Sequence, residues 1–233
     1  TEGRGLSGLE LIYDRQPVAN VGVLWSHENI DFYGRGQAGP RVAEPWRGIT
    51  LALLKARIPY LPVHADHITR DATQFDLKLL ILPDLAVMTD HQIQAVQQFA
   101  ETGGSLIASG LSGMLDQDGL PRPTSGLADL WGIRLTGESF GAERDSTSWE
   151  VASGHNYLRL LPPFQSSQTA HQEHCLVETF WAVMRGKRGV FGATDILPFG
   201  GTLRGIESLL GTETLATYIP VGKMVDRAPN PKP

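Results

Sequence analysis

A single cysteine, Cys175, serves a chain of 233 residues. One thiol excludes an intramolecular disulfide and any cysteine-rich zinc site. Its setting, HQEHCLVETFWAVM, has helical, core-like spacing, which reads as a small buried hydrophobe. Also missing is any uninterrupted apolar stretch near the roughly 18 residues that a membrane-spanning helix needs. The opening, TEGRGLSGLELIYDRQ, has no basic start followed by an apolar run and does not read as a signal peptide. Compartment therefore stays unassigned. The formal net charge of −5 leaves no basic surplus for nucleic acid. G-x-G-x-x-G and G-K-[ST] are both absent, so neither a dinucleotide nor a P-loop nucleotide is indicated, and no cofactor is expected. No internal repeat is visible.

What is present is a recurrence. Three short apolar runs, Val21–Trp25, Leu79–Leu82 and Ser105–Ala108, each stop abruptly in polar and glycine residues. Bare runs of four or five apolar residues are the pattern of strands buried on both faces. Segments with helical spacing lie between them, and such alternation predicts an α/β fold with a parallel sheet. The spacing predicts strands over residues 18–25, 58–63 and 76–82, the second interrupted by prolines as an edge strand is. Helices are predicted over 45–56, with Trp46, Ile49, Leu53 and Leu54 as the buried stripe, over Asp90–Glu101 with Thr89 or Asp90 as cap, and over 125–131. After about Leu135 the alternation is lost. Residues 149–151, 157–161 and 214–218 read as strands, 203–209 as helix-like, and 171–184 as either. The expected organisation is a lead-in (1–17), one domain (18–220, core 18–135) and a proline-rich tail or linker (221–233).

Parallel sheets place their functional loops beyond the carboxyl ends of the strands. After the first strand the residues 26–45 read as a loop of about twenty residues, long for such a connection. It carries His27, Asp31, Phe32, Tyr33 and Arg35, with Trp46 and Arg47 just beyond. Two readings stand: Arg35 and Arg47 pair with Asp31 and Glu44 to pin the loop, or these groups face a ligand or partner. After the second strand comes H-A-D-H, with His64, Asp66 and His67; His171 and His174 are spaced likewise. Two histidines three apart can share a helical face, but nothing supplies the remaining ligands of a metal site, so none is expected. Asp66 reads as a turn former. After the third strand, Ser109 and Ser112 sit in small-residue turns, neither in the G-x-S-x-G frame of a nucleophile elbow.

The phrases PVANVGVLWSHENIDFYGR, EPWRGITLALLKARIPYLPVHADHI, DLKLLILPDLAVMTDHQIQAVQQFAETGGSLIAS and LADLWGIRL together resemble the trimerisation domain of β-galactosidases. That domain follows the catalytic barrel in glycoside hydrolase family 42 and related glycosyl hydrolases. The resemblance covers about residues 17–135 and, weakly, TETLATY near the end. It implies a flavodoxin-like, class I glutamine amidotransferase-like three-layer sandwich with a mostly parallel sheet. Amidotransferases carry a cysteine at the turn after the strand matching Ser105–Ala108, where this chain has Ser109-Gly110-Leu111-Ser112. Family 42 catalysis uses two glutamates on the barrel. A (β/α)₈ barrel needs about 250 residues and eight repeats, so no glutamate here takes that role and no catalytic residue is assigned.

The resemblance thus implies a non-catalytic accessory domain of a multidomain glycoside hydrolase. Its implied partners are an upstream barrel on the same polypeptide and further copies in a homo-oligomer. His27, Asp31, Phe32, Tyr33, Arg35, Trp46, Arg47, His64, Asp66 and Ser109 are the ligand or interface candidates. Two alternatives remain: a stand-alone amidotransferase-like hydrolase using Ser109 or Cys175, and a carbohydrate-binding module using Trp25, Tyr33, Trp46 and Trp131.

Overall fold

The structure, a computed structural model, describes residues 17–140, 156–161, 196–199, 203–209 and 211–219. Cys175, the expected elements at 149–151 and 171–184, residues 1–16 and the tail 221–233 lie outside the described residues. The chain divides into two compact units, Thr1–Trp131 and Gly132–Pro233.

The first unit is built on four parallel strands: β1 (Val21–Trp25), β2 (Tyr60–His64), β3 (Leu79–Leu82) and β4 (Ser105–Ala108). Their order is β2-β1-β3-β4, the flavodoxin-like arrangement in which the direction of winding reverses between β1 and β3. β2 is an edge strand, as its prolines predict. Helix α1 (Glu44–Lys55) covers one face, where Leu53 joins Val21, Val23 and Ile81, with Trp46 and Ile49 packed beside them. Helices α2 (Ile68–Gln74) and α3 (Asp90–Glu101) cover the other, where Ile68, Val96 and Phe99 meet Leu24, Leu80 and Leu82. A short α4 (Ala128–Trp131) follows. Alternate residues of β1 and β3 thus enter two separate cores, which is why these strands read as continuous apolar runs.

The third run differs from expectation. β4 is not buried on both faces but closes the far edge of the sheet, and Ile107 is 48% exposed. Ile107 pairs with Ile81 on the α1 side, and α1 does not reach that far.

Helix α3 starts as its sequence predicts. Thr89 Oγ1 accepts from the Gln92 amide at 3.2 Å, and Gln92 Oε1 accepts from the Thr89 amide at 3.0 Å. This capping box satisfies two otherwise orphaned donors. The Gln92 amide group also donates to Asp66 Oδ1 at 2.7 Å, fastening the helix to the turn after β2. Thr89→Ala is expected to cost about 1 kcal/mol, read as a lowered urea midpoint with an unchanged slope, and Thr89→Ser to restore most of it.

In the second unit β5 (Ile133–Phe140) pairs antiparallel with β8 (Leu203–Ser208), while β6 (Asn156–Leu160) lies between β7 (Ile196–Phe199) and β9 (Ala216–Ile219), also antiparallel. Residues 203–208 are therefore a strand, not the helix-like segment expected. Leu203 and Ile206 sit three apart and mimic helical spacing, but Ile206 is held opposite Leu135 by the ladder, and in six residues pairing outweighs so weak a pattern.

Candidate functional site

The segment after β1, which reads as a long loop, is wound into turns. Asn29–Gly34 and Gly39–Ala43 wind as wide π turns, Arg35–Gln37 lies between them as a tight 3₁₀ turn, and Gly39–Ala43 runs directly into α1. Pro40 has no N–H for an ordinary helical bond, and Gly34, Gly36 and Gly39 add no apolar stripe, so the sequence carries no helical signature here. The strain is visible at Arg35, which takes φ 38°.

Among the described residues a set of hydrogen bonds holds this wound segment. Ser26 Oγ accepts from the Asn29 amide at 3.1 Å. Asn29 Nδ2 donates to the Asp84 carbonyl at 3.1 Å, and Asn29 Oδ1 accepts from the Val87 amide at 3.0 Å. Tyr33 Oη donates to Asp84 Oδ2 at 3.0 Å. Arg41 donates to the Tyr33 carbonyl at 3.3 Å and lies 5.4 Å from the centre of its ring. Neither Arg35 nor Arg47 forms an ion pair with a described residue, so the expected pinning by Asp31 and Glu44 gives way to Asn29, Tyr33 and Asp84.

Asp84 is the hub between the turns after β3 and β4. Its Oδ1 accepts from the Leu111 amide at 2.7 Å, and its own amide donates to Ser109 Oγ at 3.2 Å. Ser112 is buried and bonds the Leu82 and Ser109 carbonyls at 3.1 and 2.8 Å. Both serines thus serve the backbone. No imidazole of the described residues hydrogen-bonds Ser109, the contact that a serine nucleophile makes with its base, and Cys175 lies outside the described residues.

A second group gathers on the β2 side. Trp25 meets His27 and His64 edge-on at centroid distances of 5.0 and 4.7 Å. His64 lies 5.5 Å from His27 and 5.6 Å from His67. His64 Nδ1 accepts from the Asp66 amide at 3.3 Å, the turn role expected for Asp66. Arg70 and Asp71, paired at 2.8 Å, complete the rim of this cleft. Among the described residues no group of three or more His, Cys, Asp or Glu could hold a metal ion.

Between these groups lies a cavity of about 560 Å³, lined by Trp25, Ile30, Val42, Trp46, Arg47 and Leu85 among others. Among the described residues the buried polar atoms left without a partner are Glu28 Oε2, Trp46 Nε1 and His64 Nε2, each from the wound segment, the start of α1 or the end of β2. The ten candidates therefore fall into clusters: Tyr33 with Ser109 through Asp84, Trp46 with Arg47, and His27 with His64 and Asp66. Phe32 packs toward Gly119. Asp31 and Arg35 are exposed and join none of these groups. Asn29 and Asp84 carry no signal of their own in the sequence; the abrupt Pro83-Asp84 stop after β3 is the only hint.

The sequence profile of the β-galactosidase trimerisation domain matches residues 19–165, more than half of the chain. Solved structures share the fold. β-Galactosidase from Bacillus circulans sp. alkalophilus superposes with a TM-score of 0.62 at 18% identity, covering 90% of this chain and 26% of that one. The cold-adapted β-galactosidase from Rahnella sp. R3 gives 0.63 at 18% identity, covering 91% and 26%. A catalytic mutant of a GH42 β-galactosidase from G. stearothermophilus gives 0.60 at 17%, covering 90% and 25%. The chain thus spans about a quarter of the length of these enzymes. No curated protein sequence matches it.

Proposed function

The chain belongs to the β-galactosidase trimerisation domain family, and from that premise we propose that it is a non-catalytic accessory domain through which a larger glycoside hydrolase self-associates. On this reading an upstream barrel of the same polypeptide performs the hydrolysis, and this domain supplies subunit contacts or shapes the neighbouring sugar site.

The observation that supports the reading is a second apolar stripe on α1. Leu53 faces the core, but Leu51 is 51% exposed, Leu54 62% and, just past the helix, Ile58 41%. Positions 51 and 54 share one helical face, Ile58 follows beyond the helix end, and a helix apolar on two sides has an unmet partner. Leu54 thus leaves the inward stripe expected for it and joins an outward one. Phe32, exposed on the wound segment that leads into α1, adds an aromatic of the kind interfaces favour.

Leu54→Glu places a charge in this stripe. In sedimentation velocity of the intact protein, the variant is expected to shift the oligomer toward monomer by at least tenfold in dissociation constant. A monomeric wild-type protein, or an unchanged distribution for the variant, overturns the reading.

A further inference from the structure

A ring of three copies, the assembly for which the family is named, cannot close through one self-complementary patch. Each copy must offer two different patches, one to each neighbour. The outward stripe of α1, Leu51 and Leu54, is the first. The cavity of about 560 Å³ beyond the carboxyl ends of β1 and β3 has the character of the second. Its wall is apolar, formed by Leu24, Trp25, Ile30, Val42, Trp46 and Leu85 with neighbouring alanines and prolines. The two uncharged polar side chains in it are engaged elsewhere: Ser26 by the Asn29 amide, and Asn29 by Asp84 and Val87. Such a wall favours an apolar occupant, because a polar one would lose its water without gaining a partner. A cavity of about 150 Å³ already holds a benzene, so this one has room for both leucines.

Stripe and cavity cannot satisfy each other within one copy. Trp46 and Leu54 belong to the same helix, and their separation along its axis is about 12 Å. On the surface the two patches are nevertheless adjacent. Arg47 lines the cavity, and positions 47, 51 and 54 follow the i, i+4, i+7 course of one flank of α1. Adjacent patches are what three copies gathered round one axis bring together. Gly48 is a second sign. Glycine inside a helix is destabilising relative to alanine, yet nothing within the copy requires it: a Cβ at this exposed position meets no atom within 4 Å. It stands one turn before Leu51, and close approach of another backbone is what a glycine permits.

We infer that Leu51 and Leu54 of one copy seat in the cavity of a second, head to tail, with Gly48 admitting the second copy's backbone, and that three such junctions close the ring. The inference rests on the self-association proposed above and names its contact.

Sedimentation velocity of the intact protein, with variants alone and mixed, tests the contact. Val42→Trp fills the cavity without touching the stripe and is expected to weaken association at least tenfold, as Leu54→Glu does. Ala43→Leu is the second filling variant should circular dichroism show the first unfolded. Mixed one to one, Leu54→Glu and Val42→Trp keep one sound junction, the stripe of the latter in the cavity of the former. The mixture is therefore expected to form dimers and no trimers at concentrations where each variant alone is monomeric. Gly48→Ala is expected to raise the urea midpoint of the Leu54→Glu monomer, yet to weaken association at least threefold when it is the only change. An oligomeric Leu54→Glu protein overturns the self-association reading itself. With Leu54→Glu folded and monomeric, three results overturn the stripe-in-cavity contact alone: a folded cavity-filled variant that associates as wild type does, a mixture that stays monomeric, or undiminished association of Gly48→Ala.

Discussion

Asp84→Ala is expected to remove about 3 kcal/mol of stability and to loosen the wound segment from the sheet. The carboxylate accepts from Tyr33 Oη and the Leu111 amide at 3.0 and 2.7 Å, and bonds to a charged acceptor contribute about 1.5–3 kcal/mol each when buried. Both are only part-buried, which brings each to about 1 kcal/mol. The backbone adds a term, because Asp84 holds φ 50°, a region that costs alanine about 1 kcal/mol more than aspartate or asparagine. Asp84→Asn keeps both the geometry and the tolerance for positive φ and is expected to lose only about 1 kcal/mol. Tyr33→Phe removes a single bond and serves as the scale. Urea unfolding gives the energies, and limited proteolysis within residues 29–43 reports the loosening. An Asp84→Ala variant within 1 kcal/mol of wild type, or one no more susceptible than Tyr33→Phe, sinks this account of the hub.

The same hub marks where the sequence could and could not be read. β1 and β3 announce themselves because each feeds two cores, so no polar residue interrupts the run. Helix α3 announces itself through Thr89 and a single apolar stripe. Function was expected beyond the carboxyl ends of the strands, and the cavity, the histidine cleft and Asp84 all lie there. What joins them was illegible. Asp84 reaches Tyr33 across 51 positions and Leu111 across 27, and no local pattern encodes such pairings. The wound segment was hidden for a different reason: Pro40 and the glycines around it remove the periodicity that a helix is recognised by, and only wide turns carry the chain past them. Ile107 misled in the opposite sense. It has the composition of a buried strand, but burial depends on what lies above it, and the α1 cluster on that face reaches only as far as Ile81 of β3.

The largest single loss is expected at Leu80. It is fully buried in β3, between β1 and β4, and truncation of such a side chain to alanine costs about 2–5 kcal/mol through lost transfer energy and a residual cavity. About 3–4 kcal/mol is expected here, because a central strand held on both sides collapses little. Gly22 explains why the neighbouring strand carries a glycine in the middle of an apolar run. It is paired with Leu80 in register, and a Cβ at that position meets Leu80 Cδ2 at 2.7 Å, Leu77 Cδ1 at 3.0 Å and Val63 Cγ2 at 3.2 Å. Gly22→Ala alone therefore overpacks the core by about 1–2 kcal/mol, beyond what it regains in chain entropy. With Leu80→Ala the closest of those atoms is gone, and the new methyl enters the space it left. The double variant is expected to be more stable than the sum of the single losses by at least 1 kcal/mol, a coupling that residues in contact show and distant ones do not. Urea unfolding of the four proteins closes the cycle. Additivity within about 0.3 kcal/mol would mean that Leu80 does not occupy the space above Gly22, and the packing of β1 against β3 described here would have to be abandoned.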